Sequence, residues 1–563
     1  MSADGDSNAF DRAIQEALTR RDLLVRAGMG VAGLSLASFL AACGGGGSTG
    51  TTATSSIGAP VAEFSYPPGG GKSVDEITWA LYADLVAFDY AFSYDFNTCA
   101  VVPNVVESLL RFNPDGSLAP NLAESWKEVD PTTYVYTLRQ GVKFHDGSAM
   151  TAEDAAASMS RLLDPKVGSY LAAFLTHVKS AQATGPNELT VKLTQPDAFW
   201  QFTPATCVGG VSSKAFLDKY GKEVGTPAVG IMGTGAYRYV SWSRGQQAVV
   251  ERFDGYWNPQ RQPKIGRITY KLIADEQTTI AALGSGSIDG AFNVSGKNLP
   301  VLESYPDVQI ARAPSNFVHM LVLNCLRKPF DDVRVRQAFS YAIDKAGSLK
   351  ATWGGDGQLC KSPSPPALWG SQAADLKSAY DQLPSFDQDI SKAKSLVEAA
   401  GAKGAQVSLM VGTPHEKDLG LIVQAAASQI GIVVNLDQMT YPQLLAKIAA
   451  PERDYDGGIW EWSCDYPDPA GTLYQCFLST SPVNYSNYKN KTVDDALKAQ
   501  LLTSDAATRA QELNRAQAQI WEDQSWIVFF TPNSNMPINK RIGGYQLRPL
   551  WYWDSWAADL SGT

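Results

Sequence analysis

Several side chains that could do chemistry are concentrated in ten consecutive residues, the segment 460–469 (WEWSCDYPDP). The segment holds two tryptophans, one thiol and three carboxylates. An aromatic loop with an acid at its tip is typical of a site for a small cationic, partly apolar ligand. The alternative is that the tryptophans belong to the core and the acids are solvated loop residues. These ten residues alone leave both interpretations open.

The local sequence predicts that a strand carries this segment to its place. Residues 455–462 (YDGGIWEW) alternate loosely between apolar and polar types, which indicates a short strand. Pro467 and Pro469 then remove backbone donors and fix φ, so a shaped loop follows the strand. Elsewhere, the spacing predicts a helix over 101–110, and Thr151 followed by acids predicts the start of another helix.

Cysteine usage points to an oxidising compartment. The chain has seven cysteines, and six remain if Cys43 is set aside. An even number of cysteines outside the cytoplasm allows up to three disulfides. Because Cys464 and Cys476 are close in sequence, we predict that they pair and staple the loop beside the candidate site.

The N-terminal residues 1–43 resemble an export signal. Arg20 and Arg21 precede an apolar, small-residue run, as in the twin-arginine type, and 40–43 (LAAC) resembles a lipobox with Cys43 as the lipidated residue. Residues 44–73 are rich in Gly, Ser, Thr and Pro, which predicts a flexible tether. No run of 18 apolar residues follows Cys43, so we expect the folded body not to span a membrane.

Length, charge and missing motifs narrow the range of possible functions. A chain of 563 residues predicts two or three domains, and a net charge of −10 disfavours nucleic acid as a partner. The four histidines form no zinc-binding motif, and no nucleophile elbow, P-loop or complete dinucleotide fingerprint is present in a suitable context. We therefore expect a protein that is not an enzyme and that needs no cofactor and no metal.

Eight motifs in a fixed order resemble the extracytoplasmic solute-binding proteins of peptide/nickel-type ABC importers, solute-binding family 5. The resemblance covers about residues 75–555 of this chain. The motifs are 107–110 (ESLL), 114–116 (PDG), 123–126 (AESW), 138–147 (LRQGVKFHDG), 233–237 (GTGAY), 253–257 (FDGYW), 329–338 (PFDDVRVRQA) and 462–469 (WSCDYPDP).

The resemblance implies an α/β fold of two lobes that close over a solute, the type II periplasmic-binding-protein-like fold with three subdomains and a hinged ligand cleft. We expect lobe 1 over residues 74–315, lobe 2 over 316–524, and a return to lobe 1 over 525–563. The β/α alternation of the second range agrees with a second lobe that has a partly parallel sheet.

The resemblance also implies the site. In peptide-binding members an aspartate of the Asp-Tyr loop holds the ligand's α-ammonium, and Asp465 stands at that place. A carboxylate enclosed by lobe closure favours an amine over a neutral group. The other ligand-binding residues that the resemblance implies are Trp462, Tyr466, Tyr94, Phe96, Tyr170, Tyr441 and Trp460.

One departure concerns the ligand. Some oligopeptide-binding members carry an arginine three residues before the tryptophan, where this chain has Ile459. A ligand carboxylate would need another partner, so the ligand is expected to be a small peptide or another amine-bearing solute. An oligosaccharide, opine or nickel chelate is the alternative within the fold, since Trp460 and Trp462 could stack on a sugar.

The resemblance implies a lipid-anchored, monomeric receptor at the outer face of the cell membrane or in the periplasm. Its partners would be the membrane permease and ATPase subunits of the importer. A membrane-anchored hydrolase is the alternative of a different class, and the missing nucleophile motifs speak against it.

Overall fold

The computed structural model describes residues 66–93, 95–366, 369, 373–450, 452–503 and 505–563, without the side chains of residues 373, 441, 442, 445 and 449. The predicted export signal, the lipidation site Cys43, Arg20 and Arg21, and most of the 44–73 tether lie outside these residues. Within the described residues, no helix has both the length and the apolar character needed to cross a bilayer.

Two lobes are built around one large mixed sheet and a smaller one. The strands are β1 Val74–Leu81, β2 Leu110–Phe112, β3 Leu118–Pro120, β4 Ala123–Asp130, β5 Thr133–Leu138, β6 Val178–Gly185, β7 Glu188–Leu193, β8 Tyr237–Ser243, β9 Gln247–Arg252, β10 Ile265–Leu272, β11 Gly290–Ala291, β12 Val308–Pro314, β13 Phe317–Leu323, β14 Gly357–Gln358, β15 Gln406–Val411, β16 Val433–Gln438, β17 Gly457–Ser463, β18 Trp526–Asn539, β19 Ile542–Gly543 and β20 Ser561–Gly562.

The helices are α1 Phe96–Val101, α2 Ala152–Leu162, α3 Lys214–Tyr220, α4 Glu276–Gly284, α5 Leu299–Ser304, α6 Val333–Ala342, α7 Lys345–Trp353, α8 Ala373–Asp381, α9 Ile390–Ala399, α10 Pro414–Gln429, α11 Tyr441–Ala449, α12 Pro469–Phe477, α13 Lys491–Leu501 and α14 Ala506–Asp523. Helices from 333 onward cover both faces of the lobe 2 strands, which is the usual way to bury a partly parallel sheet.

Lobe 1 has its own hydrophobic core. The order β18-β11-β1-β10-β9-β8 forms its part of the large sheet, and β4-β5-β7-β6 forms a separate antiparallel sheet. The core centres on large aromatic side chains such as Trp79, Tyr270 and Trp556, with the rings of Trp79 and Trp556 4.4 Å apart. Residues 536–560 belong to this core, so the C-terminal segment completes lobe 1.

Lobe 2 continues the same sheet in the order β16-β15-β17-β13-β18. Two hydrophobic cores lie on the two faces of these strands. Successive side chains of β17 point to opposite faces of the sheet. Ile459 therefore belongs to one core, whereas Trp460 and Trp462 belong to the other. The predicted pattern of a strand ahead of the loop is therefore correct.

The chain crosses between the lobes through β12 and β13 and returns within β18. The first residues of β18 pair with β13 as far as Phe530, and the last seven pair with β12 from Asn533 onward. The predicted boundary at 315/316 falls between β12 and β13. The predicted return at 525 lies one residue before β18, whereas the register changes partner between 530 and 533.

Several predicted elements can be compared directly. Thr151 caps α2 through a capping box with Asp154, as predicted. The predicted helix over 101–110 is wrong, because α1 ends at Val101 and Leu110 already begins β2. In this region the backbone lies against Gly233, where an added Cβ would come within 2.1 Å of the Val105 carbonyl oxygen.

Candidate functional site

Strand β17 leads to the candidate site and leaves one of its edges open. Over its whole length β17 pairs with β13, from Gly457 to Ser463. On the other side β15 pairs only with Gly457 and Gly458. Among the described strands, residues 459–463 of β17 therefore have no backbone neighbour on that edge, which leaves donors and acceptors free for an extended ligand.

The loop after β17 is held by groups from both lobes. The Asn316 backbone oxygen accepts from the Cys464 amide at 3.1 Å, and the Asn316 side-chain amide donates to the Cys464 oxygen at 3.0 Å. The Tyr552 hydroxyl also donates to the Cys464 oxygen at 3.0 Å, and Trp553 Nε1 donates to the Asp465 oxygen at 3.1 Å. The loop is therefore fixed to residues of the lobe crossing and of the C-terminal segment.

Asp465 lies at the centre of this arrangement as a half-buried carboxyl group. Loss of water raises its pKa from 3.8 to about 7, and a hydrogen bond with the Tyr552 hydroxyl opposes this shift. Among the described residues, no lysine, arginine or histidine forms an ion pair with it. An enclosed carboxylate without a counter-ion is unfavourable, so the position suits a cation supplied from outside the chain.

The groups near Asp465 are buried thiols rather than charged side chains. The carboxyl group is close enough to raise the pKa of the Cys99, Cys207, Cys464 and Cys476 thiols, which burial already raises well above the usual range. The predicted Cys464–Cys476 disulfide is not formed, since both residues are free thiols. Cys464 instead packs in the lobe 1 core with its sulfur 2.5 Å from Thr472 Oγ1, whereas Cys476 packs in lobe 2.

The aromatic residues of the segment divide between the site wall and the core. Trp462 is half-buried, 6.3 Å from the ring of Tyr485 and 6.1 Å from that of Trp526. Trp460 is only 7% exposed and packs on Tyr485 at 5.6 Å, so it supports Trp462 rather than facing the cleft.

Tyr466 connects the two lobes. Its ring stacks on Phe199 at 5.8 Å with an interplanar angle of 10°, and its hydroxyl is 3.1 Å from Thr203 Oγ1. Phe199 belongs by sequence to lobe 1 but packs in a lobe 2 core. The Tyr466 side chain is 3% exposed and packs between segments of the two lobes, and its predicted contact with a ligand stays a prediction.

The remaining predicted residues lie at different distances from Asp465. Phe96 is half-buried with its ring 5.2 Å from Tyr552, which places it in the wall beside Asp465. Tyr170 is 40% exposed and near enough to Tyr485 to raise the pKa of that phenol. Tyr94 and the side chain of Tyr441 lie outside the described residues, although the backbone of Tyr441 begins α11.

The sequence prediction missed residues that are far from the segment along the chain. Asn316, Tyr485, Tyr552 and Trp553 all support the loop or the wall. The only local signal for any of them is the aromatic run 551–553 (WYW), which could have been assigned to the site only with knowledge of the C-terminal return. Within the described residues, no group of three or more His, Cys, Asp or Glu side chains could hold a metal ion.

Comparison with known proteins gives one family. Residues 117–484 match the model described as bacterial extracellular solute-binding proteins, family 5 Middle. The probable D,D-dipeptide-binding periplasmic protein DdpA of Escherichia coli K12 is 28% identical over 506 residues, covering 87% of this chain and 94% of that protein. The glutathione-binding protein GsiB of the same strain is 29% identical over 475 residues, covering 81% and 89%.

Solved structures share the fold. The periplasmic binding protein DppA of Helicobacter pylori, described as associated with an ABC transporter and in complex with the peptide STSA, superimposes with a TM-score of 0.77. The match is 22% identical in sequence and covers 87% of this chain and 98% of that chain. The α/β two-lobe fold predicted from the sequence motifs is thereby confirmed.

Proposed function

Since the chain belongs to the bacterial extracellular solute-binding proteins of family 5, we propose that it captures a small peptide or another amine-bearing solute between its lobes. The captured solute is then delivered to the permease of an ABC importer. The main evidence that the ligand bears an amine is Asp465, a half-buried carboxyl group with no ion-pair partner among the described residues.

The ligand's ammonium group supplies the missing counter-ion. Bound next to Asp465, it stabilises the ionised carboxylate and returns its pKa toward the usual range. A neutral or acetylated amine leaves the same group without compensation. The difference between the two ligands is expected to be about 3 kcal/mol, on the order of a hundredfold in affinity.

A peptide backbone fits the open edge of β17. Residues 459–463 offer backbone donors and acceptors to an extended chain, which gives affinity independent of side-chain identity. Trp462 and Phe96 add apolar surface beside the ammonium position. The sugar alternative loses support, since Trp460 is buried against Tyr485 and is not free to stack on a ring.

The site needs no bond-making chemistry, and the relatives named above are binding proteins. The further parts of the proposal rest on the N-terminal sequence: twin-arginine export through Arg20 and Arg21, lipid anchoring through Cys43, and presentation of a monomer at the outer face of the membrane. Closure over the ligand is a population shift that requires the ligand to bind the closed state several kcal/mol more tightly.

Calorimetry with di- to pentapeptides, each free and N-acetylated, tests the ammonium role. We expect wild type to bind the free peptides and to lose about a hundredfold in affinity on acetylation. Asp465→Asn should remove this difference while leaving the fold intact. Asp454→Asn is the matched control, because the Asp454 side chain is 79% exposed on the surface.

Equal binding of free and acetylated peptides by wild type would contradict the role of Asp465. Binding of an oligosaccharide with no response to any amine would replace the peptide by the alternative ligand class.

A further inference from the structure

A second acid, Glu461, lies on β17 four residues before Asp465. Its side chain is exposed and forms no ion pair with any described residue. It stands directly opposite His319 in the antiparallel register of β17 and β13. Directly opposed residues point to the same face with Cβ atoms about 5 Å apart, so the side chains of Glu461 and His319 leave the sheet on the same face.

His319 belongs to a row of rings beside Glu461. The Trp353 ring lies 5.3 Å from the ring of His319 and 4.9 Å from that of His415, and Phe530 lies 5.1 Å from His319 on the other side. We call Glu461 together with His319, Trp353 and His415 the Glu461 patch.

The patch contains polar atoms that nothing in the described structure satisfies. His319 Nδ1, His415 Nδ1 and Trp353 Nε1 are buried without a hydrogen-bond partner, although His319 is only 2% and Trp353 only 9% exposed. Unpaired buried polar atoms are rare in folded proteins and call for a ligand or ordered water to complete them. Three of them lie in this patch, beside a solvent-accessible acid, and a ligand bound at the patch would supply partners for them.

The patch faces lobe 1. A Cβ added at Gly296 of lobe 1 would come within 2.6 Å of the Trp353 carbonyl oxygen, so the two segments touch. The charges of Glu276 and Lys297, both in lobe 1, are close enough to affect the pKa of His415. Glu461 also lies on the part of β17 whose outer edge is open. A ligand extended along that edge from Asp465 would therefore reach the patch.

The chemistry of the patch favours a cation. Although Glu461 is reached by solvent, the surrounding protein removes part of the water from its carboxyl group. This desolvation, and after it the Glu416 carboxylate, raises the pKa of Glu461 to about 7, so an added positive charge would be stabilised there. Burial, with a further contribution from His415, lowers the pKa of His319 to about 3, so this imidazole stays neutral and offers a lone pair. Lys297 carries the positive charge that would repel a cation at this patch, and this residue is exposed.

We propose that the Glu461 patch is a second cation subsite, and that the transported solute carries two positive groups. This inference rests on the proposed function, since Asp465 takes the first ammonium. Four residues of extended chain place the Cα atoms of Glu461 and Asp465 at most about 13 Å apart, which gives the scale for the separation of the two positive groups. A tripeptide with a C-terminal lysine matches this length, and so does a linear polyamine.

Calorimetry with three matched tripeptides tests the proposal: Ala-Ala-Lys, Ala-Ala-norleucine and Ala-Ala-Glu, each also N-acetylated. Norleucine keeps the apolar stem of lysine and removes its charge. We expect wild type to bind Ala-Ala-Lys about tenfold more tightly than Ala-Ala-norleucine and to bind Ala-Ala-Glu most weakly. Glu461→Gln should abolish the preference for lysine and leave the affinity for the norleucine peptide unchanged.

Two variants separate this subsite from the first. Asp465→Asn should weaken both the lysine and the norleucine peptides by a similar factor, and Glu398→Gln, an exposed substitution on α9, should change neither. Loss of the acetylation effect with the lysine preference intact would remove the role of Asp465 but support the Glu461 subsite.

Equal affinities of wild type for the lysine and norleucine peptides would overturn the proposal, as would a lysine preference that survives in Glu461→Gln. Tightest binding of Ala-Ala-Glu would overturn it in favour of an anion held by Lys297. No binding of any of the peptides would overturn both this inference and the proposed function.

Discussion

Under the proposed function, Asp465 is a single residue that binds the ligand's ammonium group and is unfavourably placed in the free protein. A carboxyl group with a pKa of about 7 is only partly ionised at neutral pH, because the enclosed site stabilises its neutral form. A cation that enters the site reverses this preference. The residue is therefore better satisfied in the complex than in the free protein, which is the property required of a receptor for amines.

The free protein should lose stability as the pH rises. The folded-state pKa of Asp465 lies above its usual value of 3.8, so the folded state holds the proton more tightly than the unfolded state. This contribution is fully present below about pH 4 and is lost as the pH rises through about 7. We expect the melting temperature of wild type to fall by a few degrees more than that of Asp465→Asn between pH 5 and pH 8.

Thermal melts of the two ligand-free proteins at matched ionic strength make this measurement. A residual slope of the same sign should persist in Asp465→Asn, because Glu461 also has a raised pKa. Parallel curves for the two proteins would show that Asp465 is not desolvated.

At the scale of elements, the loop depends on the start of α12. Asp468 is the N-cap of this helix and accepts from the Ala470 amide at 2.9 Å. Its other oxygen accepts from Arg509 Nη1 of α14 at 2.8 Å, and Arg509 Nη2 also donates to Gln500 Oε1 at 3.0 Å. Both charged side chains are buried, so the pair fixes the C-terminal end of the loop to two helices.

Removing the Asp468 carboxylate should lower the free energy of unfolding. Asp468→Ala deletes the helix cap and leaves Arg509 buried without its partner, and we expect a loss of about 3–5 kcal/mol in the free energy of unfolding. Denaturant titration followed by tryptophan fluorescence provides the measurement. The control is Asp495→Ala, which removes an exposed pair with Lys491 and should cost no more than about 0.5 kcal/mol. Similar midpoints for the two variants would contradict this account.

At the scale of the whole molecule, a buried polar cluster joins the crossing strands to lobe 2. Asp356, which follows α7, accepts from Asn533 Nδ2 at 2.8 Å and from Asn535 Nδ2 at 2.7 Å, both on β18. Arg312 on β12 forms an ion pair with the same carboxylate. The cluster therefore holds a lobe 2 segment against both strands that connect the lobes.

Asp356→Ala should lower the stability of the whole folded protein rather than that of one element. Loss of the carboxylate removes one hydrogen bond from each of two asparagine amides and the ion-pair partner of Arg312, and we expect about 2–4 kcal/mol less stability. The matched control is Asp454→Ala, an exposed partner of Arg327 with an expected effect below about 1 kcal/mol. Chemical denaturation measures both, and an unchanged midpoint for Asp356→Ala would show that the cluster does not hold the lobes together.

Much of the fold follows from local sequence. The alternation before the loop predicted a strand, and the structure has β17 there because successive side chains enter opposite cores. The caps at Thr151 and Asp332 start α2 and α6 where acids or hydroxyls precede the helical residues. The ordered motifs predicted the family and its two lobes.

Predictions from the local sequence failed where contacts with distant backbone segments determine the structure. The helical spacing of 101–110 is real, but the chain leaves the helix to pack against the glycine turn at 233 and to pair as β2. The proposed disulfide failed for a related reason. Twelve residues separate Cys464 and Cys476 along the chain, yet the loop and helix between them direct the thiols into different cores.

By itself, the sequence determined which residues have the chemistry: an acid in an aromatic loop, and an alternating strand that leads to it. These are local properties of composition and spacing. Only the tertiary structure decided that Asp465 has no ion-pair partner among the described residues, that Tyr466 packs between segments of the two lobes, and that Glu461 shares a face with His319. Each of these depends on which distant segment comes to lie beside it, because burial and pairing are set by the packing of the whole chain.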